Sequence, residues 1–454
     1  MERFDVFVIG GGGTGSEIAF QLAERRDVRV GLAERHRLGG ECNHYGCVPT
    51  KVMLRSAKIA HIARTAGAFG IEVPGEVAVD LDAVRDRVRR VIDEQSGEGV
   101  APFERIGVRV FLQEARLVGP RRIELADGTA VEADRIVLAT GTEATVPPID
   151  GLADGPYWTN REAIWDAERV PRSLIVIGTG AIGIEFSQIY ARFGARVTAL
   201  EALPHILPNE DEQAAASLVP AFEREGIALR PGVRITSARH DGDGWTVELE
   251  GGERILGEEL LVATGRRPVF DGHDLDAAGV SLDERGAPVL GQTLRTSNPD
   301  VWAAGDATGE LLFTHVGTHE AEIVVADLTG APRLRDYRIV PRVTFCDPEV
   351  ASVGLTEAQA REAGREVRTG VAPFSESERA HIEGDTDGLV KIVADARNGE
   401  VLGGHIVGEE AGAMIHEVVA AMAGDVRAET LGRTVHAYPT LSETLREAFR
   451  RASG

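Results

Sequence analysis

Cysteine is scarce: Cys42, Cys47 and Cys346 are the only three in 454 residues. That excludes a disulfide-stapled scaffold in a chain of this size. Long apolar runs are missing too. The longest stretch without a charged residue, Ser173 to Ile184, has 12 residues, against the ~20 that a membrane-spanning helix needs. Positive charge is in deficit, with 49 Lys and Arg against 72 Asp and Glu and a net charge of −23. Without a basic cluster to neutralise phosphates, nucleic acid is not an expected partner. The amino terminus, Met1-Glu2-Arg3-Phe4-Asp5, lacks the basic start and small-residue cleavage site of a secretory signal, so a cytoplasmic protein with no membrane attachment is expected. The length suggests about three domains, each able to bury its own core.

What is present is an internal repeat. Phe4 to Ile9 is an apolar run leading into Gly10-Gly11-Gly12-Gly13-Thr14-Gly15, a helical stretch, the run Val28 to Ala33, and Glu34. Leu174 to Ile177 leads likewise into Gly178-Thr179-Gly180-Ala181-Ile182-Gly183, a second helical stretch, Arg196 to Leu200, and Glu201. One GxGxxG is weak evidence, since glycine-rich turns arise for steric reasons alone. The acid, 19 residues after Gly15 and 18 after Gly183, is harder to obtain by accident, because a strand end there meets a ribose 2′-hydroxyl. In each copy the first glycine permits the tight turn, the second admits a pyrophosphate to the backbone, and the third lets helix and strand pack closely. Two copies predict two dinucleotides, or one dinucleotide and a duplicated relic.

A second repeated element, Ile136 to Gly141 and Leu260 to Gly265, ends in Ala-Thr-Gly both times, so whole subdomains are duplicated. Between the first motif and the first Ala-Thr-Gly lie a helical region around Lys51 to Ala66, an amphipathic stretch around Leu81 to Phe103, and a hairpin turning at Asp127-Gly128. Thr145 to Pro148 reads as a linker. A further hairpin is expected at Asp241 to Gly244, and strands alternate with helices after about residue 336.

Cys42 and Cys47 are five positions apart. In a regular helix that separation is ~8–9 Å, whereas a disulfide needs Cα atoms within about 7 Å. The pair therefore either bridges through a distorted backbone, for which Gly46 and Pro49 at a helix start are suited, or remains two reduced thiols. A helix start also lowers thiol pKa values and favours the nucleophilic thiolate. Cys346 reads as a buried structural thiol.

Gly39-Gly40-Glu41-Cys42 with Cys47-Val48-Pro49-Thr50-Lys51, the doubled glycine motif, Ala263-Thr264-Gly265-Arg266, Ala303-Ala304-Gly305-Asp306 and Tyr438-Pro439-Thr440 together resemble the flavoprotein disulfide reductase family over essentially the whole chain. The resemblance implies an α/β fold: two Rossmann-like dinucleotide-binding domains and a carboxy-terminal α+β dimerisation domain. The FAD-binding segments would be 1–145 and 271–335, the NAD(P)-binding domain 146–270, and the interface domain 336–454. FAD would lie on Gly10, Gly12, Gly15 and Glu34, with Gly40, Thr140, Gly141 and Asp306 around it. NAD(H) would lie on Gly178, Gly180, Gly183, Glu201 and Gly265. Of the thiols, Cys47 would touch the flavin and Cys42 would exchange with substrate; Lys51 would stand near flavin N5 with Glu185 as its ion-pair partner. Hydride would pass from nicotinamide to flavin, and electrons on through Cys42–Cys47 to a small disulfide or dithiol. The working unit would be a homodimer with its active site shared between chains, and no metal site is expected.

The chain departs from the family pattern at one place. His-Pro-Thr is expected near the carboxy terminus with a Glu five residues after the His; here His436-Ala437-Tyr438-Pro439-Thr440 is followed by Glu443. A phenol ionises near pH 10 and a histidine near about 6.5, so Tyr438 is a poor base. His436 could substitute if the segment is extended, since residues two apart then point the same way; the alternative is a merely packed or solvent-facing histidine. The departure opens a second activity, reduction of quinones or other acceptors that need no thiol deprotonation. Mercury reduction is not expected, because no cysteine follows Cys346; a non-catalytic sensor would not need both Cys42 and Cys47.

Overall fold

A computed structural model describes residues 1–25, 27–96 and 99–454, which fall into two compact units. The first unit comprises residues 1–52, 85–145 and 266–336, and the second 53–84, 146–265 and 337–454.

In the first unit the opening apolar run becomes the strand Glu2–Ile9. Its pleat sends alternate side chains to opposite faces. Val6 and Val8 join one core with Ile18, Leu22 and Ile323, while Phe7 and Ile9 join another with Leu117, Ile123 and Ile136. The helix Gly13–Ala23 then returns the chain to Val30–Ala33, parallel to the first strand. Seven strands form the sheet, in the order Arg109–Phe111, Val30–Ala33, Glu2–Ile9, Ala130–Leu138, Arg122–Leu125, Ala115–Gly119, with Val301–Ala303 also parallel to Ala130–Leu138. The Asp127-Gly128 turn connects two antiparallel strands as expected. The helix Thr314–Leu328 packs against Gly13–Ala23. Small residues permit the approach, since a Cβ on Gly317 would lie 2.1 Å from Thr14 Oγ1. The amphipathic stretch after Leu81 is two helices, Leu81–Ser96 and Ala101–Arg105.

In the second unit the fully buried run Ser173–Ile177 is a central parallel strand between Arg196–Leu200 and Glu259–Val262, with Ala228–Arg230 outermost. A meander of Ile235–His240, Trp245–Leu249 and Arg254–Gly257 contains the expected Asp241 to Gly244 turn. The carboxy-terminal residues build a five-stranded antiparallel sheet in the order Arg342–Thr344, Glu349–Gly354, Val401–Gly408, Leu389–Asp395, Val367–Pro373.

A buried ion pair ties two parts of this unit together. Lys391 Nζ stands 3.0 Å from both carboxylate oxygens of Asp211, and each side chain is only 5% exposed. Asp211 also accepts from Gln213 and Ala214 N–H and so caps the helix Glu212–Arg224. Burial acts to raise the Asp211 carboxyl, but the Lys391 bond, the charges of His405 and Lys391 and the backbone N–H outweigh it and hold the group below its ordinary value. Its stabilising contribution is therefore complete above about pH 4 and falls away as the pH drops through the lowered folded value. Asp211→Ala should cost about 2 kcal/mol, because it removes the helix cap together with one of the two carboxylates that face the buried Lys391 ammonium, leaving Glu357 at 3.0 Å as its partner. Denaturant unfolding at neutral pH checks this, and a loss smaller than the ~1 kcal/mol of a helix cap alone would contradict it.

Candidate active site

The two glycine turns are built alike to the level of single atoms. Gly10 has φ +108°, and a Cβ there would fall 2.1 Å from Ala139 O; Gly178 has φ +97°, with Ala263 O at 2.4 Å. A Cβ on Gly15 would fall 1.9 Å from Gly10 O, and one on Gly183 1.9 Å from Gly178 O. The repeated Ala-Thr-Gly thus supplies the carbonyl against which each first glycine packs. The acids match too. Glu34 accepts from Gly11 N–H and His36 N–H, both at 2.8 Å. Glu201 accepts from Thr179 N–H at 2.8 Å, Thr179 Oγ1 at 3.0 Å and Leu203 N–H at 3.0 Å.

These turns suit a phosphate group. Gly12 and Gly180 are the N-caps of their helices, and neither helix start is capped by a side chain, which leaves first-turn N–H groups for an anion. Nothing stands within 4 Å of a Cβ on Gly180, and only Gly40 Cα, at 4.0 Å, faces one on Gly12. In the first unit Thr140 Oγ1 is buried without a hydrogen-bond partner, a polar atom that a bound cofactor would satisfy. Thr142 Oγ1 donates to Asp306 at 3.0 Å and accepts from Arg266 Nε at 2.9 Å. Arg266 in turn pairs with Glu41 at 3.3 Å, and burial pushes the Asp306 carboxyl up. Gly141 and Gly265 both adopt positive φ, +72° and +121°.

The distortion expected between the two thiols is a break between helices. Gly40–His44 is one short helix, and a second, Cys47–Thr65, starts at Cys47 itself, four residues before the expected Lys51. Cys42 is half-buried and Cys47 exposed. Thr314, the first residue of the helix Thr314–Leu328, donates its hydroxyl to Cys42 Sγ at 3.1 Å and lies 3.6 Å from Cys47 Sγ. The hydrogen bond with Cys47, and then burial, push the Cys42 thiol above its ordinary range, while the Thr314 hydroxyl and the Lys51 charge work in the opposite direction. Thr314 was not legible in the sequence, for it stands 272 positions from Cys42 and belongs to no motif.

The remaining expected residues fall as follows. Lys51 lies one helical turn after Cys47 in the first unit, and Glu185, buried in the second, accepts Phe345 N–H at 2.9 Å. Cys346 is buried and donates to Pro348 O at 3.1 Å, and burial pushes its thiol up. Tyr438 is 72% exposed. Its hydroxyl donates to Glu378 rather than Glu443, and that carboxylate pushes the phenol above its usual value. His436 Nδ1 lies 3.0 Å from Thr434 O and Nε2 3.1 Å from Glu417 Oε1. The segment is not a regular strand, and the two side chains reach different carboxylates. Glu443 accepts Thr440 N–H at 3.2 Å, a local bond at a helix start.

Doubled dinucleotide turns, a thiol pair opening a helix, and an antiparallel carboxy-terminal sheet define a nucleotide-dependent dithiol–disulfide oxidoreductase. Residues 4–321 match the model of the pyridine nucleotide-disulphide oxidoreductase family, and residues 340–449 match that family's dimerisation domain. The chain belongs to this family. It is an enzyme that uses FAD and NAD(H), and it carries the module through which family members form homodimers. Among curated relatives, the dihydrolipoyl dehydrogenase of Thermus scotoductus is 38% identical over 455 residues, covering 99% of this chain and 97% of that protein. The dihydrolipoyl dehydrogenase of Chlorobaculum parvum is 39% identical over 458 residues, covering 98% and 96%. Among solved structures, the HOCl-induced flavoprotein disulfide reductase RclA of Escherichia coli superposes with TM-score 0.88 at 26% identity, over 98% of this chain and 99% of that one. LpdA of Mycobacterium tuberculosis gives 0.88 at 28% identity, over 99% of both chains. No helix among the described residues is long and apolar enough to cross a membrane.

The matched turns separate the two cofactors experimentally. Gly15→Ala should yield protein without the visible absorbance of bound flavin. Gly183→Ala should keep that absorbance while raising KM for NADH at least tenfold. Full flavin content in Gly15→Ala, or an unchanged KM in Gly183→Ala, would contradict the assignment.

Proposed function

We propose that the enzyme takes electrons from NADH and delivers them, through FAD and the Cys42–Cys47 pair, to a small disulfide-type acceptor in the manner of its dihydrolipoyl dehydrogenase relatives. The observation that carries this reading is the pair itself: two cysteines across a helix break, under one hydroxyl. Bound FAD and NADH supply the hydride transfer and the two-electron link to the thiols. The chain's own residues bind and orient. The Gly10-Gly12-Gly15 turn, Glu34, Gly40, Thr140, Gly141 and Asp306 hold FAD. Gly178, Gly180, Gly183, Glu201 and Gly265 hold the nicotinamide nucleotide. Residues 1–145 and 271–335 serve FAD, 146–270 serve NADH, and 336–454 form the dimer interface. Cys47 is the flavin-side thiol and Cys42 the exchanging one, with Lys51 and Glu185 in the roles that the family pattern gives them. The segment from His436 to Glu443 serves the thiol pair of the other subunit. NADH is preferred over NADPH, since Glu201 would repel a 2′-phosphate and Ala202-Leu203-Pro204-His205 offer no arginine to bind one.

A second reading is favoured by one observation, the phenol of Tyr438 given to Glu378 and pushed up. Both ring nitrogens of His436 face oxygens of their own chain, Thr434 O and Glu417 Oε1, and not a thiol. An acceptor such as a quinone, which needs no thiol deprotonation, is compatible with such a site. Dihydrolipoamide, whose thiol must lose a proton before attack, is handicapped by the ~10²–10⁴-fold that acid–base assistance supplies.

Steady-state turnover with dihydrolipoamide, lipoamide and quinones, each with both nicotinamide nucleotides, tests these readings together. Dihydrolipoamide oxidation should be slow compared with that of a typical family member, by the ~10²–10⁴-fold that acid–base assistance supplies, while quinone reduction should be unimpaired. Tyr438→His should raise the former and leave the latter unchanged, and His436→Ala should alter neither by more than twofold. Loss of dihydrolipoamide turnover alone in His436→Ala would show that the base has moved to His436. A higher kcat/KM for NADPH would overturn the nucleotide assignment.

A further inference from the structure

The feature that the family pattern and the glycine turns leave unused is Thr314. One hydroxyl oxygen lies 3.1 Å from Cys42 Sγ and 3.6 Å from Cys47 Sγ. It carries a single hydrogen, which the geometry directs to Cys42. We propose that Thr314 is a catalytic residue of this site, whose hydroxyl eases ionisation of the exchanging sulfur by donating its hydrogen bond to Cys42. The proposal rests on the reading of Cys42–Cys47 as the redox pair and adds to it the group that prepares the exchanging sulfur.

The physical case has three parts. First, a reduced pair this close holds one negative charge more readily than two, because like charges a few ångströms apart disfavour each other. Cys47 stands at a helix start, where the dipole favours a thiolate, so without a competing donor the charge settles on Cys47. Second, Cys42 is half-buried and faces two groups that bear on its charge, Cys47 and Lys51; its sequence neighbour Glu41 is engaged with Arg266. Cys47 and burial oppose a Cys42 thiolate, and Lys51 and Thr314 favour it. Third, Thr314 is fixed in place as the first residue of a 15-residue helix, with Gly13 beneath its methyl group, where a Cβ would lie 3.8 Å from Thr314 Cγ2. The hydroxyl is therefore presented by a rigid element, which is what a preorganised donor requires.

The step is a simple ionisation. The Cys42 S–H bond breaks, its electron pair stays on sulfur, and the proton leaves to bulk water. Thr314 keeps its own hydrogen and turns it to the thiolate, which then attacks one sulfur of the acceptor disulfide; the acceptor S–S bond breaks and its electron pair leaves with the other sulfur, which takes up a proton from water. With Tyr438 unable to take a thiol proton, a donor that stabilises the ionised form takes over part of what a base would do.

The test is the pH dependence of Cys42 alkylation in the FAD-loaded enzyme. The protein is reduced with a phosphine, treated with iodoacetamide, and each cysteine is read separately by mass spectrometry. Thr314→Val should move the Cys42 midpoint up by about one pH unit, leaving roughly tenfold less thiolate at neutral pH, and shift alkylation toward Cys47. Thr314→Ala should do the same, and Thr314→Ser, which keeps the hydroxyl, should restore the wild-type profile. Unchanged flavin absorbance shows that each variant is folded. A Thr314→Val profile that superimposes on wild type, or a Thr314→Ser profile that follows Thr314→Val, overturns the proposal. Phosphine reduction does not pass through NADH, so failure of NADH to reduce the flavin would count against the proposed function and leave this readout intact.

Discussion

A carbonyl oxygen set against a glycine is the constraint on which both nucleotide turns depend. Ala139 O and Ala263 O fill the space that a side chain at Gly10 or Gly178 would need. Each alanine is held by the same rung of its sheet, Ala139 N–H on Ile9 O and Ala263 N–H on Ile177 O, both at 2.8 Å. The turn, the helix start that follows and the acid at the end of the next strand all take their positions from that rung. Because the chain repeats the arrangement, it obtains two phosphate-ready helix starts from one structural solution.

The thiol pair obeys a different logic. A continuous helix would keep Cys42 and Cys47 too far apart to bridge, so the chain breaks at Tyr45 and Gly46 and begins again at Cys47. The break does two things at once: it brings the sulfurs under one hydroxyl, and it places Cys47 on a helix start. The two sulfurs are also unequal, since the hydrogen bond with Cys47 and then burial push the Cys42 thiol up. Around Tyr438 the phenol is committed to Glu378 and the His436 ring to Glu417 and Thr434.

How far the sequence could be read depended on how local each feature is. The glycine turns, their acids, the hairpins at Asp127-Gly128 and Asp241 to Gly244, and the distorted Cys42 to Cys47 segment all arise from neighbouring residues, and their steric logic is visible in the letters. The strands of the second half were equally legible, because runs such as Ser173–Ile177 are apolar on both faces. Thr314 was hidden because its partner is 272 residues away and a lone threonine at a helix start has no spacing to betray it. The hydrogen-bond partners of His436 were hidden for a related reason. Alternation in an extended segment presumes a strand, and here the carboxylates of Glu378 and Glu417 direct the side chains instead. The buried Lys391–Asp211 pair joins positions 180 apart, and no pattern in the sequence pointed to it.

The central claim is that electrons leave the flavin through Cys42 and Cys47, and an anaerobic dithionite titration of the oxidised FAD-loaded enzyme tests it directly. If the pair is a redox-active disulfide, wild-type protein takes up about four electrons per flavin before the flavin is fully bleached, two of them for the disulfide, and Cys42→Ser takes up about two. A wild-type protein that bleaches completely at about two electrons, indistinguishable from Cys42→Ser, would contradict the account.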